Sequence, residues 1–110
     1  MLTKKEQLYK HKEPKVIRDR DYLNWFAKQT HKCFVCGTTS NIEGHHIKVS
    51  SSQPKIDRNL LSLCVLHHRI GTPSPHNSPK LWREMFTLES QLDFAEEIYQ
   101  RYLNETPNHK

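Results

Sequence analysis

The chain of 110 residues has the length of one small domain, with 35% hydrophobic and 26% charged residues. We expect a thin hydrophobic core, and small domains of this kind often need a metal ion or disulfide bonds for stability. The formal net charge of +5, from 17 basic and 12 acidic residues, favours a polyanionic partner, most simply nucleic acid. No apolar segment approaches membrane-spanning length, so a membrane protein is not expected.

The three cysteines bear on both the compartment and the chemistry. Cys33 and Cys36 form a C-x2-C pair, and Cys64 stands close to two histidines. This arrangement is typical of metal ligation rather than of a secreted disulfide framework. The N-terminal stretch also lacks the apolar run of a signal peptide. We therefore expect a cytoplasmic protein in a reducing compartment.

The N-terminal region is predicted to precede a single domain at residues 19–110. Residues 1–18 are rich in lysine and contain Pro14, which predicts a flexible basic arm or, alternatively, a plain solvated tail. The first helix is predicted at residues 19–31, with Asp19 as its N-cap. Its apolar face is formed by Tyr22, Leu23, Phe26 and Ala27.

A cysteine knuckle and a β-hairpin are predicted next. Gly37 permits the tight turn of the knuckle. Residues 42–49 are predicted as a short strand and residues 50–59 as a polar loop. Residues 60–64 form a second short strand, which leads into a helix from about Cys64 to Ile70.

The C-terminal part is predicted to be a loop followed by helices. Three prolines from Gly71 to Pro79 indicate the loop, and Pro79 suits the first turn of a short helix. Residues 88–105 form a longer helix, whose aromatic residues are expected in the core rather than on a base-stacking surface. Its apolar stripe consists of Leu92, Ala95, Tyr99 and Tyr102, with Ile98 and Leu103 beside it. The predicted fold class is α+β: a helix, a β-hairpin, a second helix and C-terminal helices.

The cysteines and a nearby histidine predict a structural zinc site. Zinc in such sites prefers four thiolate or imidazole ligands, often supplied as two closely spaced pairs. Cys33 and Cys36 form the first pair, and Cys64 with a following histidine forms the second. Spacing alone leaves the choice between His67 and His68 open, because both intervals are workable on a helix. The competing interpretation is that the cysteines are ordinary buried thiols.

Several histidines remain once zinc has its fourth ligand. Adjacent His45 and His46 in a strand point to opposite faces of the sheet, so one could bind a metal while the other meets a substrate or packs. One member of the His67–His68 doublet and His76 also remain. The competing interpretation is that these imidazoles are simply exposed or packed in the core.

Four motifs follow one another along the chain: C-x2-C, GHHI, RNLLSLC and CVLHH. Together they resemble the HNH (ββα-metal) endonuclease family, which carries a histidine pair on a first strand, an asparagine before a second strand, and a zinc-binding helix start. The resemblance implies that His67 closes the zinc site with the three cysteines. It also implies that His45 and His68 bind a catalytic divalent ion and that His46 is the general base.

Two further positions follow from the same resemblance. Asn59 would brace the hairpin loop and orient His46, with an ordinary turn asparagine as the alternative. His76 is a candidate third ligand of the catalytic ion, with phosphate contact or loop capping as alternatives. The ion stays open between Mg²⁺, Mn²⁺, Ni²⁺ and Zn²⁺, because an imidazole-rich site suits softer ions than Mg²⁺.

A wider stretch, roughly residues 18–90, is similar to small phage and prophage HNH proteins associated with recombination. The resemblance implies a zinc-stapled core at about residues 31–80, helices at about residues 79–104, and a location in a bacterium or a phage-infected host. The chain departs from the family pattern in three respects. A histidine replaces the usual fourth zinc cysteine, the hairpin loop lacks a glycine pair, and the spacing to His76 is long.

The implied function is a metal-dependent DNA endonuclease that nicks or cleaves with limited sequence specificity. Four basic residues flank the predicted site as candidate DNA contacts, with solvated surface charges as the alternative: Lys48, Lys55, Arg58 and Arg69. One competing function is a non-catalytic zinc module that binds DNA or a protein. Another is a recombination accessory whose nuclease acts only with a host protein such as a recombinase. The oligomeric state and the strand preference stay open.

Overall fold

The computed structural model describes residues 18–48 and 55–106. The predicted basic arm, except Arg18, and the first half of the predicted hairpin loop, residues 50–54, lie outside the described residues. The elements in chain order are α1 (Arg20–Lys28), β1 (Ile42–His46), β2 (Leu60–Cys64), a π-helical turn (Leu66–Ile70), α2 (Pro79–Met85) and α3 (Leu88–Glu105). The α+β class is confirmed, since one two-stranded sheet is combined with helices across the described ranges.

Helix α1 begins where the sequence predicts and ends before the predicted residue 31. Asp19 is the N-cap, and its side chain accepts a hydrogen bond from the backbone N–H of Tyr22 at 3.1 Å. His31 lies outside the helix and folds back, so that its ring stacks on Phe26 with centroids 4.0 Å apart. Tyr22 and Phe26 are buried whereas Ala27 is exposed, so the apolar face is narrower than predicted.

The two strands form an antiparallel hairpin in which His46 lies opposite Leu60. Strand β2 has the predicted bounds, and all five of its residues are buried because the strand packs against α3. Strand β1 ends at His46 rather than at the predicted residue 49. The backbone N–H of Ile47 still donates to Asn59 O at 2.9 Å, which extends the hairpin pairing one residue beyond the strand.

The predicted helix from Cys64 to Ile70 is wrong in its start and in its type. Cys64 is the last residue of β2, and residues 66–70 form a single π-helical turn. The N–H of Gly71 closes this turn by donating to Leu66 O across five residues, at 2.7 Å. A π turn is wider than an α turn and is frequent at functional sites. The His67–His68 doublet lies within it.

Helix α3 joins two hydrophobic clusters that support the hairpin. It has the predicted bounds, and Pro79 opens α2 as predicted. One cluster contains Cys33, Ile47, Leu61, Leu63, Cys64, Trp82, Leu92 and Ala95. The other contains Tyr22, Phe26, Leu60, Ile98 and Tyr102. The predicted stripe of α3 therefore packs as expected, although Tyr99 is only half-buried. Among the described residues, none of the helices combines the length and the apolar character that crossing a bilayer requires.

Candidate metal centres

Three cysteines and one histidine form a first cluster, whose ligand atoms all lie within 4.8 Å of one another. Its members are Cys33, Cys36, Cys64 and His67. The first two belong to the knuckle after α1, the third ends β2, and the histidine lies in the π turn. Cys33 and Cys64 are buried, whereas Cys36 is exposed. This cluster could hold a metal ion.

Backbone hydrogen bonds shape the knuckle. The N–H of Gly37 donates to Cys33 O at 2.9 Å, and the N–H of Cys33 donates to Thr38 O at 2.8 Å. Gly37 has a φ of +77°, a left-handed conformation that glycine adopts without strain. The N–H of Val35 donates to Cys33 Sγ at 3.4 Å. These bonds hold the C-x2-C segment in a tight turn beside the end of β2.

The distances in this cluster suit a tetrahedral zinc ion. Zn–S bonds of about 2.3 Å and Zn–N bonds of about 2.0 Å at tetrahedral angles separate two sulfurs by about 3.8 Å and a sulfur from a nitrogen by about 3.5 Å. The Sγ atoms of Cys36 and Cys64 are 3.9 Å apart. His67 Nδ1 lies 3.3 Å from Cys64 Sγ and 3.8 Å from Cys33 Sγ. Both the donor types and the spacings therefore fit zinc.

The surroundings of Cys33 favour the form of its side chain that binds a cation. Burial by itself raises the pKa of its thiol, but hydrogen bonds from three backbone N–H groups and from the His67 side chain lower the pKa of Cys33 to about 6. The thiolate is the form that binds a metal ion. These hydrogen bonds therefore favour the thiolate form of Cys33.

Three histidines from separate elements form a second cluster: His45 of β1, His68 of the π turn and His76 of the loop before α2. Their ligand nitrogens lie within 4.8 Å of one another, and the ring centroids are 4.8 to 5.4 Å apart. Asn77 helps to hold the loop, because its Nδ2 donates to two backbone carbonyl oxygens at the end of the π turn, each at 3.1 Å. The structure thus brings together the three imidazoles that the resemblance assigns to one ion.

Burial and charge repulsion favour the neutral form of two of these histidines, His45 and His76. Burial, together with the charges that His68 and His76 would carry, lowers the pKa of His45 to about 3. Burial and the neighbouring His68 also lower the pKa of His76. Neutral imidazole is the form that binds a metal ion. The site therefore suits a cation at neutral pH.

Glu43 contacts this cluster, and sequence reasoning missed it. Its carboxylate accepts hydrogen bonds from His68 Nδ1 at 2.6 Å and from Arg69 Nη2 at 3.0 Å. Arg69 and His68 lower the pKa of Glu43 to about 2, so the carboxylate is ionised at neutral pH. The His68 proton is therefore held at Nδ1, which leaves Nε2 as the metal-binding nitrogen. Strand alternation could have indicated Glu43, because it precedes His45 by two residues on the same face of β1.

His46 contacts a buried carboxylate that sequence reasoning also missed. Its Nε2 lies 2.8 Å from Oδ1 of Asp57, which is only 1% exposed. Asp57 Oδ2 accepts a hydrogen bond from the backbone N–H of Asp19 at 2.6 Å and lies 3.6 Å from Arg18 Nε. A carboxylate held in this way orients His46 with its proton on Nε2 and its lone pair on Nδ1. The segment around Asp57 has only the composition of a loop, which does not indicate burial.

The remaining predicted residues lie on or near the hairpin. Asn59 O accepts a hydrogen bond from the N–H of Ile47 at 2.9 Å, so its backbone helps to close the hairpin, and its role in orienting His46 stays a prediction. Arg58 Nη2 pairs with Glu96 Oε1 at 3.0 Å, and its guanidinium lies 4.2 Å from the centre of the Tyr99 ring. Arg69 pairs with Glu43, as described above.

A cleft of about 790 Å³ lies beside the second cluster. The four histidines at positions 45, 46, 68 and 76 line it, together with Lys48 and Lys55. Its lining also includes Arg83 and the aromatic side chains of Trp82 and Phe86. The histidines predicted to act on a phosphodiester therefore line the same cleft. Of the four residues predicted to contact DNA, Lys48 and Lys55 line it as well.

Comparisons of the chain with known protein families, with curated proteins and with solved structures give no match. The features that bear on function are the two clusters, the His46–Asp57 pair and the cleft. Each of these is a property of this chain's own residues.

Proposed function

We propose that this protein is a metal-dependent DNA endonuclease of the HNH type. In this proposal a zinc ion at the cysteine cluster stabilises the fold, and a divalent ion at the three-histidine cluster takes part in catalysis. The observation that carries the proposal is that His46, held by Asp57, lines the same cleft as the three clustered histidines. Phosphodiester hydrolysis needs a group that takes a proton from water and a cation near the scissile phosphate, and both requirements meet in this cleft.

The arrangement of elements also supports the HNH assignment. An antiparallel hairpin is followed at once by a helical turn, and these elements carry His45, His46, His67 and His68. The asparagine that the motif expects before the second strand is Asn59, which closes the hairpin. The closing element of the core is a π turn rather than an α-helix, which is the main departure from the ββα pattern.

A divalent ion at the three-histidine cluster would supply positive charge to polarise the scissile phosphate and to stabilise the departing oxygen. His45, His68 and His76 would hold this ion through neutral imidazole nitrogens. His46 takes the proton of the attacking water at Nδ1, because its Nε2 proton is held by Asp57 at 2.8 Å. Asp57 then stabilises the imidazolium that forms. His46 thus acts as the general base without a change in its orientation.

Charge in and around the cleft suits a DNA backbone. Lys48, Lys55 and Arg83 line the cleft, and the whole chain has a net charge of +5. Their contacts to phosphate would make binding depend on salt concentration. Arg58 and Arg69 already pair with Glu96 and Glu43. Their proposed contacts with DNA would therefore compete with these ion pairs.

A non-catalytic zinc module is the second candidate, because the cysteine cluster is a complete four-ligand set by itself. If this candidate is correct, the protein binds one metal ion per chain, and its DNA binding is unaffected by His45→Ala and by His46→Ala. The accessory function expects weak cleavage by the isolated protein and stronger cleavage when a recombinase is added. The two candidates are thus separated from the leading proposal by metal content and by activity.

Cleavage of supercoiled plasmid and of circular single-stranded DNA tests the proposal. Wild-type protein, His46→Ala and the surface control Glu97→Ala are purified in parallel and incubated with Mg²⁺, Mn²⁺, Ni²⁺ or Zn²⁺. We expect nicked or linear product from the wild type and from Glu97→Ala, and a loss of about 100-fold or more in His46→Ala. Equal absence of cleavage by the wild type and His46→Ala with every ion overturns the proposal.

A further inference from the structure

The cleft beside the histidines has an apolar wall that hydrolysis of a phosphodiester does not require. Alongside the histidines and the lysines, its lining contains Trp82, Phe86, Leu88, Pro75 and Pro79. A phosphate group is anionic and gains nothing from hydrocarbon or aromatic surface. A concave apolar surface next to convergent polar groups is instead typical of a site for a small organic group.

The aromatic part of this wall is held rigidly. The Phe86 ring, half-buried, lies 4.6 Å from Trp82 and 5.3 Å from Phe34 between ring centroids. Trp82 Nε1 donates to Gln91 Oε1 at 3.3 Å, and Gln91 Nε2 donates to Phe86 O at the same distance. A ring held by packing against its neighbours loses little conformational freedom when a ligand stacks on it, so binding is favoured.

The size and charge of the cleft can accommodate a nucleotide. Its volume of about 790 Å³ lies within the range of about 300 to 1,000 Å³ that is typical for small-molecule sites. Lys48, Lys55 and Arg83 supply positive charge in the same lining. A nucleotide combines a flat base with an anionic phosphate, and these two parts match the aromatic wall and the basic lining. In a continuous duplex the flat faces of the bases are stacked on one another and are not accessible to a protein.

We propose that the cleft receives one unpaired nucleotide of a DNA strand, and that the protein therefore acts on single-stranded or locally unpaired DNA in preference to continuous duplex. The base stacks against the wall at Phe86, while its phosphate lies toward the three-histidine cluster. This inference rests on the proposed endonuclease function, because it assigns the same cleft to the strand that is cut.

Binding of three ligands with equal numbers of phosphates tests the inference without cleavage. The ligands are a labelled single-stranded oligonucleotide, a strand of the same length in which every nucleotide is abasic, and a duplex with the same total number of phosphates. Fluorescence anisotropy is measured on the wild-type protein at one salt concentration with no divalent ion added. We expect the single strand to bind about 10-fold more tightly than the abasic strand, because only the former can stack.

A second measurement locates the bound base. The chain has two tryptophans, Trp25 in α1 and Trp82 in the cleft, so Trp25→Phe leaves Trp82 as the only tryptophan reporter. We expect the single strand to change the fluorescence of Trp82 and the abasic strand to leave it unchanged. Phe86→Leu keeps an apolar side chain at the wall but removes the ring, and we expect it to abolish the preference for bases over abasic sites.

The outcomes separate this inference from the proposed function. Equal affinity for the single strand and the abasic strand overturns the inference even when plasmid is cut. Tighter binding of the duplex than of the single strand overturns it as well. Absence of cleavage of both plasmid and single-stranded DNA overturns the endonuclease proposal, while base-dependent binding that responds to Phe86→Leu still supports a nucleotide site. The wild-type comparison needs no variant, so it remains decisive if Phe86→Leu does not fold.

Discussion

His67 and His68 are adjacent in the chain, yet they contribute to different clusters. His67 Nδ1 lies 3.3 Å from Cys64 Sγ, whereas His68 Nδ1 lies 2.6 Å from Glu43 Oε1, with the other ring nitrogen left for the three-histidine cluster. The π turn that carries both residues is closed across five residues by Gly71. One dipeptide thus connects the cluster that we assign to folding with the cluster that we assign to chemistry.

This relationship predicts different effects of two neighbouring alanine substitutions. His67→Ala removes one of four ligands from the cysteine cluster, and we expect it to destabilise the protein by about 4 kcal/mol or more, as is typical when a structural metal site is lost. His68→Ala leaves that cluster complete, so we expect a change in stability within about 1 kcal/mol and a loss of activity. Chemical unfolding followed by circular dichroism and metal content by mass spectrometry measure both effects.

Metal content supplies the control for this comparison. We expect two metal ions per chain in the wild type loaded with zinc, and one in His68→Ala, retained at the cysteine cluster. Removal of that ion by a strong chelator should then unfold the variant. If His67→Ala and His68→Ala unfold alike and lose the same ions, the assignment of the doublet to two sites is wrong.

Much of the hairpin could be predicted because local pattern determines it. The bounds of β2 follow from a short apolar run before Cys64, and the divergence of His45 and His46 follows from the two-residue period of a strand. In the structure His45 joins the three-histidine cluster and His46 contacts Asp57. The motif resemblance added which histidine belongs to which cluster, a choice that spacing had left open.

The residues that orient the histidines could not be predicted in the same way. Asp57 contacts His46 although the two are 11 residues apart in the chain, and Glu43 contacts His68 at a separation of 25 residues. Such contacts depend on how the hairpin and the π turn pack, which local composition does not encode. A charged residue in a loop is expected to be exposed, so the sequence does not predict the burial of Asp57 that the structure shows. The π turn was missed for a related reason, because apolar periodicity over five residues does not distinguish it from an α-helical turn.

Glu43 is predicted to tune metal binding through His68. In Glu43→Gln the side chain loses its charge and holds the His68 proton on Nδ1 less strongly, so we expect the affinity of the three-histidine cluster for Mn²⁺ or Ni²⁺ to fall by about 10- to 100-fold. Isothermal titration of zinc-loaded protein measures this affinity. Glu97→Gln, on the exposed face of α3, serves as the matched control. Equal affinities for the wild type and Glu43→Gln contradict the prediction.

Asp57 is predicted to act through His46 rather than on DNA directly. Asp57→Asn keeps the shape of the side chain but favours the other tautomer of His46, so we expect plasmid cleavage to fall by about 100-fold or more. The loss of a charged hydrogen-bond acceptor should also lower stability by about 1 to 3 kcal/mol. In a double-mutant cycle, Asp57→Asn should cause little further loss of activity in the His46→Ala background. Losses that multiply in the double variant would show that Asp57 acts independently of His46.

His31 is predicted to make stability depend on pH. It is 5% exposed, its Nε2 lies 2.9 Å from Phe26 O, and its Nδ1 lies 3.1 Å from Arg101 Nη2. Because a guanidinium only donates, Nδ1 must accept and Nε2 must donate, so the ring is neutral. Burial, assisted by the charge of Arg101 and opposed by the bond to Phe26 and by Glu105, lowers the pKa of His31 below its ordinary value.

The sign of the effect follows from this direction. The unfolded chain binds the His31 proton more readily than the folded chain, so the contribution of His31 to stability is complete above the unfolded pKa of about 6.5 and is lost as the pH falls below it. We expect the free energy of unfolding of the wild type to decrease between pH 7.5 and 5, by up to about 1.4 kcal/mol per pH unit from this group. His31→Phe keeps a ring to stack on Phe26 but cannot be protonated, so its decrease should be smaller. Urea unfolding of both proteins across this range measures the difference, which isolates His31 from other titrating groups, and parallel curves would contradict the prediction.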